Sequence, residues 1–400
     1  MKAIVNTKII LEDGILWDGT VLTEGNRICA AGPAREIIIP DGAERIDACG
    51  LYTAPGLVDI HCHGVGPYSF HLDAMICAAH FLAHGETTVL PTFYQTLTYD
   101  EMLAGAARIR EASKSGCGRI IGGLYMEGPF MDEGIGSNQS TTVHTGRIDP
   151  EKFRPLVDGL GDLVRVWAID PARENIEVFL EDTRRRYPEV IFALGHSGAT
   201  AEQCDAVARY GITLQTHHTD SGQAPARCQA NNGSGCDDWA LYHPEVYTEL
   251  ICDRNGIHVP PGRIRLLMRT KGVERVILIT DSNHSPDPGR NAIERGIWYG
   301  PDLSYDDEGL LSGSRMTLDN ACRNLMTHTG YGLCHAIRCA TLNPAKALGM
   351  DGDIGSVTTG KLANLILIDD SVNVKKVFLE GEEMPVEDPV LIEPAKEATE

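Results

Sequence analysis

Two histidines separated by a single residue follow an apolar run near the start of the chain. His61 and His63 lie in the segment 55–64, which reads Pro-Gly-Leu-Val-Asp-Ile-His-Cys-His-Gly. Because successive side chains of a β-strand point to opposite faces, both imidazoles would lie on the same side of the strand. Such a pair can bind a metal ion, although two polar residues that end a strand fit the same pattern. The pair therefore favours a metal-dependent enzyme without deciding it.

Acidic or imidazole side chains also end four later segments of strand type. Imidazole and carboxylate ligands together suit Zn²⁺ or Fe²⁺. A parallel barrel gathers the carboxyl ends of its strands around one axis, so five agreeing strand ends predict one shared site. His217 and His218 are adjacent in the chain, so they cannot both face that axis. The four segments are Met126-Glu127, Gly195-His196-Ser197, Thr216-His217-His218 and Thr280-Asp281-Ser282.

The elements that must position these residues are eight apolar segments that alternate with helical patterns. This order predicts a parallel sheet covered by helices, and eight βα repeats predict an α/β fold of the TIM-like (β/α)8 barrel type. The predicted strands are Gly56–Gly64, Thr87–Phe93, Ile120–Gly128, Val164–Asp170, Val190–Ser197, Ile212–His218, Thr248–Asp253 and Arg275–Ser282. Helical patterns include Asp73–His84, Tyr99–Ser113, Asn175–Arg186, Ala201–Tyr210 and Pro261–Thr270.

Short strands with tight turns fill both ends of the chain. Neither end is long enough to bury a core alone, so we expect residues 1–53 and 351–386 to pair into one small β-sandwich domain. The barrel would then occupy residues 54–350. The final segment, 387–400, is rich in Pro, Glu and Ala and is typical of a tail or a surface strap.

Composition excludes several classes of partner. The formal net charge of -21 disfavours binding to nucleic acid or to an anionic membrane surface. No apolar run reaches the roughly 18 residues that a membrane helix needs. The first residues show no signal peptide, and the 12 cysteines form no CxxC pair. Reduced thiols in a cytoplasmic protein fit best, with Cys228 and Cys236 as an alternative local metal or disulfide pair.

Ordered segments along nearly the whole chain resemble the amidohydrolase superfamily and, within it, the N-acetylglucosamine-6-phosphate deacetylases. The resemblance implies a barrel with a β domain built from both chain ends, a small-molecule substrate and a homodimer. The matching segments are PGLVDIHCHG (55–64), HGETTVLPTF (84–93), YMEGPF (125–130), LGHSGAT (194–200), THH (216–218), DRNGIHVPP (253–261), LITDS (278–282), LSGSRMTLDNACRNL (311–325), ATLNPAKALGM (340–350) and GSVTTGKLANLILID (355–369).

The resemblance also implies a role for each residue at the strand ends. Glu127, His196 and His217 resemble the principal metal ligands of the family. A Thr-His ending is the family pattern, which selects His217 over its neighbour. His61 and His63 resemble a pair that holds a second metal in some members. We therefore expect one or two divalent ions per subunit, zinc first and iron as the alternative.

Asp281 resembles the catalytic carboxylate of the family. A divalent ion lowers the pKa of its bound water towards about 7, which produces hydroxide at neutral pH. The resemblance implies that this hydroxide attacks an amide carbonyl after Asp281 accepts the proton. Asp281 would then protonate the leaving amine, which is a poor leaving group without a proton. The expected reaction is deacetylation of an N-acetyl amino sugar, N-acetylglucosamine 6-phosphate or a close relative.

Substrate contacts are where this chain departs from the family pattern. His258, in DRNGIHVPP, resembles a substrate-contacting histidine. Asn138 falls where the family has a carbonyl-polarising histidine, and His144 is an alternative for that role. Asp220 falls where the family has a phosphate-side asparagine and would repel a phosphate. Arg227, at the start of the polar loop 227–239, lies near the place of the family's phosphate-binding arginine and could compensate.

Other readings of the chain stay open. The amide could belong to an N-acyl amino acid, a cyclic amide or an amino sugar without phosphate. A barrel that has lost catalysis and acts as a binding or scaffold protein is a further alternative, although the complete ligand set and Asp281 argue against it. His80 and His84 are four residues apart on a helical stretch, which is also a metal-ligand spacing. We interpret them as surface or packing residues, because they precede the second strand at the wrong end of the barrel.

Overall fold

The computed structural model describes residues 1–137, 143–220, 222, 226–228, 231–284, 300–306 and 309–390, with the backbone alone described at 226–228 and 231–232. Its strands alternate with helices through the middle of the chain. The strands are β1 (Lys2–Ile10), β2 (Ile15–Glu24), β3 (Arg27–Pro33), β4 (Glu44–Asp47), β5 (Tyr52–Pro55), β6 (Leu57–Cys62), β7 (Gly64–Val65), β8 (Tyr68–Ser69), β9 (Glu86–Tyr94), β10 (Leu124–Glu127), β11 (Val164–Ile169), β12 (Ile191–Leu194), β13 (Ile212–Gln215), β14 (Ala226–Cys228), β15 (Asn231–Asn232), β16 (Tyr247–Ile251), β17 (Val276–Ile279), β18 (Leu303–Tyr305), β19 (Leu311–Ser314), β20 (Leu365–Ile368), β21 (Val374–Leu379) and β22 (Glu382–Met384).

Along the chain, most of the helices lie between one barrel strand and the next. Two of them begin at capping boxes, in which Thr98 pairs with Glu101 and Thr200 pairs with Gln203. Among the described helices, none is long and apolar enough to cross a membrane. The helices are α1 (Phe70–Ala83), α2 (Tyr99–Ala112), α3 (Pro150–Leu160), α4 (Ile176–Arg186), α5 (Ala201–Ala208), α6 (Cys236–Tyr242), α7 (Pro261–Lys271), α8 (Leu318–Thr329), α9 (Leu333–Cys339) and α10 (Leu342–Ala347).

Eight parallel strands form the barrel in the order β6-β9-β10-β11-β12-β13-β16-β17. A parallel bridge between Cys62 and Ser282 joins the first strand to the last and nearly closes the barrel. The strands are buried on both faces, which explains why they read as continuous apolar runs such as Val-Ile-Leu-Ile in β17. Each strand lies within or close to one of the eight predicted segments. The predicted TIM-like barrel is therefore confirmed.

The small domain is built from both ends of the chain, as predicted. Its described strands form one mixed sheet in the order β22-β21-β20-β5-β1-β2-β3, with β4 paired to β1. Strand β20 pairs antiparallel with β5, so that Ile366 lies opposite Ala54 and the two chain ends are joined. The proposed domain boundaries at 53, 350 and 386 stay predictions.

Candidate metal centre

Five strand ends meet around one buried carboxylate at the carboxyl end of the barrel. Glu127 ends β10 and is 2% exposed, and its two oxygens face different sets of histidines. Oε1 faces His196 and His217, which follow β12 and β13, and Oε2 faces His61 and His63 at the end of β6. The convergence that the strand ends predicted is therefore present, with Glu127 at its centre.

The first group comprises Glu127, His196 and His217. Glu127 Oε1 lies 2.7 Å from His196 Nε2 and 2.9 Å from His217 Nε2, and the two nitrogens are 3.1 Å apart. In a tetrahedral zinc site with bonds of about 2.0–2.1 Å, neighbouring ligand atoms stand about 3.3 Å apart. These three atoms are therefore spaced like the ligands of one ion.

The hydrogen bonds at the other ring nitrogen of each histidine support the same conclusion. His196 Nδ1 donates to the Ile135 carbonyl oxygen at 3.2 Å, and His217 Nδ1 donates to the Asp220 carbonyl oxygen at 3.1 Å. A neutral imidazole that donates from Nδ1 has a lone pair at Nε2. Two nitrogen lone pairs and a carboxylate oxygen then point into the same space. A cation in that space satisfies all three, so the group fits a divalent metal ion.

The second group comprises His61, His63, Glu127 and Asp281. His63 Nε2 lies 3.1 Å from Glu127 Oε2 and 3.2 Å from Asp281 Oδ1. His61 Nε2 lies 3.4 Å from Glu127 Oε2 and 3.6 Å from Asp281 Oδ1, and it has no hydrogen-bond partner although it is buried. An orphaned nitrogen beside two carboxylates fits a second cation. Glu127 would bridge the two positions.

Glu249 is a member of this centre that the strand-end pattern did not identify. Its side chain is fully buried in β16, and its Oε2 accepts hydrogen bonds from His61 Nδ1 at 3.1 Å and from the His217 backbone N–H at 3.2 Å. Carboxylates in this position hold the ring of a ligating histidine and select its tautomer. A charged residue inside the apolar strand Tyr247–Ile251 was the available signal.

Burial and charge oppose each other at the site. Burial disfavours a charged imidazole, but the Glu127 and Glu249 carboxylates outweigh it and raise the pKa of His61 well above its usual value. The hydrogen bond and charge of Glu127 likewise raise the pKa of His217 to about 10. Burial raises the pKa of Asp281, but the hydrogen bond from His63 lowers it, and the net result is a pKa below the usual value. The site therefore favours positive charge between its carboxylates, which either protons or a divalent ion can supply.

Three of the site residues have left-handed backbone conformations. His196, His217 and Asp281 have φ angles of 43°, 21° and 47°. Such conformations cost about 1–3 kcal/mol each in a non-glycine residue and are concentrated at functional sites. Gly313 approaches Asp281 so closely that a Cβ atom there would lie 2.4 Å from the Asp281 carbonyl oxygen. The backbone is thus held in place for these side chains at some cost in stability.

A cavity of about 430 Å³ opens onto both groups. Its lining includes Asp220 and five members of the two ligand groups, namely His63, Glu127, His196, His217 and Asp281. His258 is not among the residues that line the cavity, although it is close enough to Asp220 and Asp281 to interact with their charges. Its Nδ1 donates to Asp253 Oδ2 at 3.2 Å, and its buried Nε2 has no partner among the described residues. Asn138 falls outside the described residues, and Arg227 lies in β14, where only the backbone is described.

Three further sequence interpretations can be compared with the structure. His218 turns away from Glu127 and donates to Gln215 Oε1 at 2.5 Å, so His217 is the histidine that faces the site. His144 is not among the described residues that line the cavity, and its Nε2 donates to the Leu97 carbonyl oxygen at 2.6 Å. Cys236 lies beside Cys204 with the sulfur atoms 3.4 Å apart, and the side chain of Cys228, the other member of the alternative pair, falls outside the described residues.

Comparison with known proteins extends over almost the whole chain. The model of the Amidohydrolase family matches residues 52–384. N-acetylglucosamine-6-phosphate deacetylase of Haemophilus influenzae is 27% identical over 391 residues, which cover 95% of this chain and 98% of the relative. N-acetylgalactosamine-6-phosphate deacetylase of Escherichia coli O157:H7 is 28% identical over 400 residues, which cover 94% and 97%. The crystal structure of N-acetylglucosamine-6-phosphate deacetylase from Pasteurella multocida matches with a TM-score of 0.81 and 25% identity, covering 96% of this chain and 99% of that chain.

Proposed function

The chain belongs to the amidohydrolase family, and we propose that it removes the acetyl group from the nitrogen of an N-acetyl amino sugar 6-phosphate. N-acetylglucosamine 6-phosphate or its galactosamine counterpart is the proposed substrate. Both are named in relatives that this chain matches over more than nine-tenths of its length. The observation that carries the proposal is the pair of ligand groups that share Glu127 and open, with Asp281, onto one cavity.

Asp281 is the proposed general base and acid. It lines the cavity, and its Oδ1 lies 3.2 Å from His63 Nε2, so the carboxylate is held at the edge of the site. Its backbone is fixed on both sides, because its N–H donates to the His61 carbonyl oxygen at 2.9 Å and its carbonyl oxygen accepts from Ser314 N–H at 2.8 Å. In this position it can take a proton from an attacking water and pass it to the leaving amine nitrogen.

A divalent ion held by the ligand groups would supply Lewis acidity towards the amide carbonyl and would lower the pKa of a bound water towards about 7. The ligands would be Glu127, His196 and His217 for the principal ion, and His61, His63 and Asp281 for a second. Zinc is the proposed metal, because the mixed nitrogen and oxygen donors and their spacing suit it. Iron is the alternative.

The remaining side chains position the substrate. We propose that Asp220 and His258 contact the sugar and that Asn138 and Arg227 act on the amide and the phosphate, respectively. A homodimer and a cytoplasmic location belong to the same proposal. The described cysteines are free thiols, including the adjacent Cys204 and Cys236, which is what a reducing compartment favours.

A second candidate is an N-acetyl amino sugar without the phosphate. Among the described residues that line the cavity there is no lysine or arginine, whereas Asp220 and Asp306 both line it. Carboxylates repel a phosphate dianion unless a cation compensates them. This observation favours a neutral substrate.

One assay tests both candidates. The zinc-loaded protein is incubated with N-acetylglucosamine 6-phosphate, N-acetylgalactosamine 6-phosphate and free N-acetylglucosamine, and the released acetate is measured. The proposal expects a kcat/KM for at least one phosphorylated sugar that is about tenfold or more above that of the free sugar. Equal values for phosphorylated and free sugars would replace it by the second candidate. No acetate from any of the three would refute deacetylation of an amino sugar.

A further inference from the structure

A second cluster of imidazole and carboxylate groups lies at the C-terminal end of α1. His80 and the C-cap residue His84 are one helical turn apart, and Asp388 lies between them. Both oxygens of Asp388 are 2.9 Å from His80 Nδ1, and its Oδ2 is 3.2 Å from His84 Nε2. The interpretation of the two histidines as surface or packing residues was therefore incomplete, because the C-terminal segment brings a carboxylate to them.

We propose that His80, His84 and Asp388 bind a structural zinc ion. Ligand atoms of all three residues lie within 4.8 Å of one another. The distances of 2.9 and 3.2 Å are within a few tenths of the ~3.3 Å that separates ligand atoms in a tetrahedral zinc site. The Asp388 side chain is 28% exposed, so water can reach the fourth position. Three protein ligands and one water complete a zinc coordination sphere.

The carboxylate-to-imidazole distances resemble those of the candidate metal centre. There, one carboxylate stands 2.7 Å and 2.9 Å from two imidazole nitrogens. Here, one carboxylate stands 2.9 Å and 3.2 Å from two imidazole nitrogens. In both places the histidines and the acid come from separate parts of the chain. The two clusters share no residue.

The surroundings of His84 supply a second observation in favour of a cation. Its Nδ1 lies 3.7 Å from Asp319 Oδ1, while its Nε2 faces Asp388. A neutral imidazole between two carboxylates leaves one nitrogen lone pair against negative charge. A metal ion at Nε2 removes that conflict, and a carboxylate behind a ligating histidine is the usual outer partner. Arg323 fixes Asp319 in this position, at 2.7 Å.

The ion would fasten the C-terminal segment to the barrel. Val390 follows Asp388 closely and is 6% exposed, and its N–H donates to Asp388 Oδ1 at 2.9 Å. The Val390 side chain lies against Gly66, where a Cβ atom would be 3.5 Å from Val390 Cγ1. Gly66 belongs to the hairpin of β7 and β8, which directly follows the ligand His63. Zinc at this site would therefore stabilise both α1 and the loop beside the catalytic centre.

Zinc content of the full-length protein tests the proposal without using activity. Wild type, Asp388→Asn and His84→Ala are saturated with zinc, passed over a desalting column and measured by elemental analysis. We expect each variant to lose about one zinc per chain and to melt at a lower temperature, because three ligands define the site. His335→Ala is the matched control, since His335 is exposed, belongs to none of the described ligand groups and packs its ring against Tyr331, at 5.3 Å between centroids. The control should retain the wild-type content.

A variant that lacks ligands of the candidate metal centre distinguishes zinc bound at the second cluster from zinc bound at that centre. In Glu127→Ala/His61→Ala/His196→Ala, which leaves no more than two ligands in either group of the candidate metal centre, residual zinc or cobalt binding should persist with about one ion per chain, and addition of Asp388→Asn should abolish it. Cobalt in this background should show the visible absorption of a four-coordinate site. Equal zinc content in wild type and both single variants, or no binding in the background variant, would overturn the proposal. The cluster would then be a metal-free hydrogen-bonded latch.

Discussion

Glu249→Gln and Glu249→Ala together test how the histidines of the candidate metal centre are held. Both hydrogen bonds that it accepts end on the same atom, Oε2, which receives His61 Nδ1–H at 3.1 Å and His217 N–H at 3.2 Å. A glutamine can place its amide oxygen at the position of Oε2, so Glu249→Gln removes the charge but can keep both acceptor contacts. Glu249→Ala removes the charge and both contacts together.

The expected effects follow from these contacts. Loss of an outer partner of a ligating histidine typically weakens metal binding by about 10- to 100-fold, which corresponds to ~1.4–2.7 kcal/mol. We expect Glu249→Ala to lie in this range, because His61 loses its orienting acceptor and the His217 backbone is left with an unpaired buried donor. Glu249→Gln should lose less than about tenfold, since only the charge is removed.

Competition with a chromophoric chelator measures the zinc affinity of each purified full-length variant. Glu245→Gln is the control, because Glu245 is exposed and pairs with His243 at 3.0 Å on the surface. Thermal unfolding of each variant shows that it is folded before affinity is compared. An alanine variant with the affinity of wild type, or a glutamine variant weaker than the alanine variant, would refute the orienting role of Glu249.

Three further predictions concern catalysis, backbone strain and pH. Asp281→Asn should lower kcat by about 10²–10⁴-fold while zinc content stays largely intact, and a near-normal kcat by acetate release would exclude the acid–base role. Gly313→Ala should lower both the melting temperature and kcat, because its φ is +63° and the added Cβ would lie 2.4 Å from the Asp281 carbonyl oxygen. Gly330→Ala, with a φ of +77° and nothing within 4 Å, should affect melting alone, so equal loss of kcat in both would contradict this. Burial lowers the pKa of Lys271 to about 8 in the folded protein, so between pH 8 and 10 the unfolded chain binds more protons than the folded one. Denaturant titrations should therefore show that wild type gains stability relative to Lys271→Met as the pH rises through this range. A loss of relative stability with rising pH would contradict the prediction.

Part of the centre could be predicted because its signals are local. Strands of a parallel barrel are buried on both faces, so each one appears as an apolar run. A polar residue at the end of such a run is conspicuous, which is how Glu127, His196 and Asp281 were found. The period of two then placed His61 and His63 on one side. None of these steps requires knowledge of which strands are neighbours.

The residues that were missed depend on contacts between distant parts of the chain. Glu249 lies within β16 rather than at its end, and its role is visible only when His61 and His217 are brought beside it. Asp388 gives no signal in its own segment, and it meets His80 and His84 only where that segment crosses α1. Cys236 likewise meets Cys204 through the packing of α5 and α6.

The amino-acid sequence by itself determined the order of the barrel elements and the types of side chain that end its strands, because periodicity and burial act along short stretches of chain. Tertiary structure alone decided that Glu127 stands between two histidine groups, with one oxygen facing each. Tertiary structure also decided that His217, and not His218, faces the site, a choice that strand periodicity left open. The physical reason is that distances between ligand atoms are set by closure of the barrel, which is a property of non-local packing.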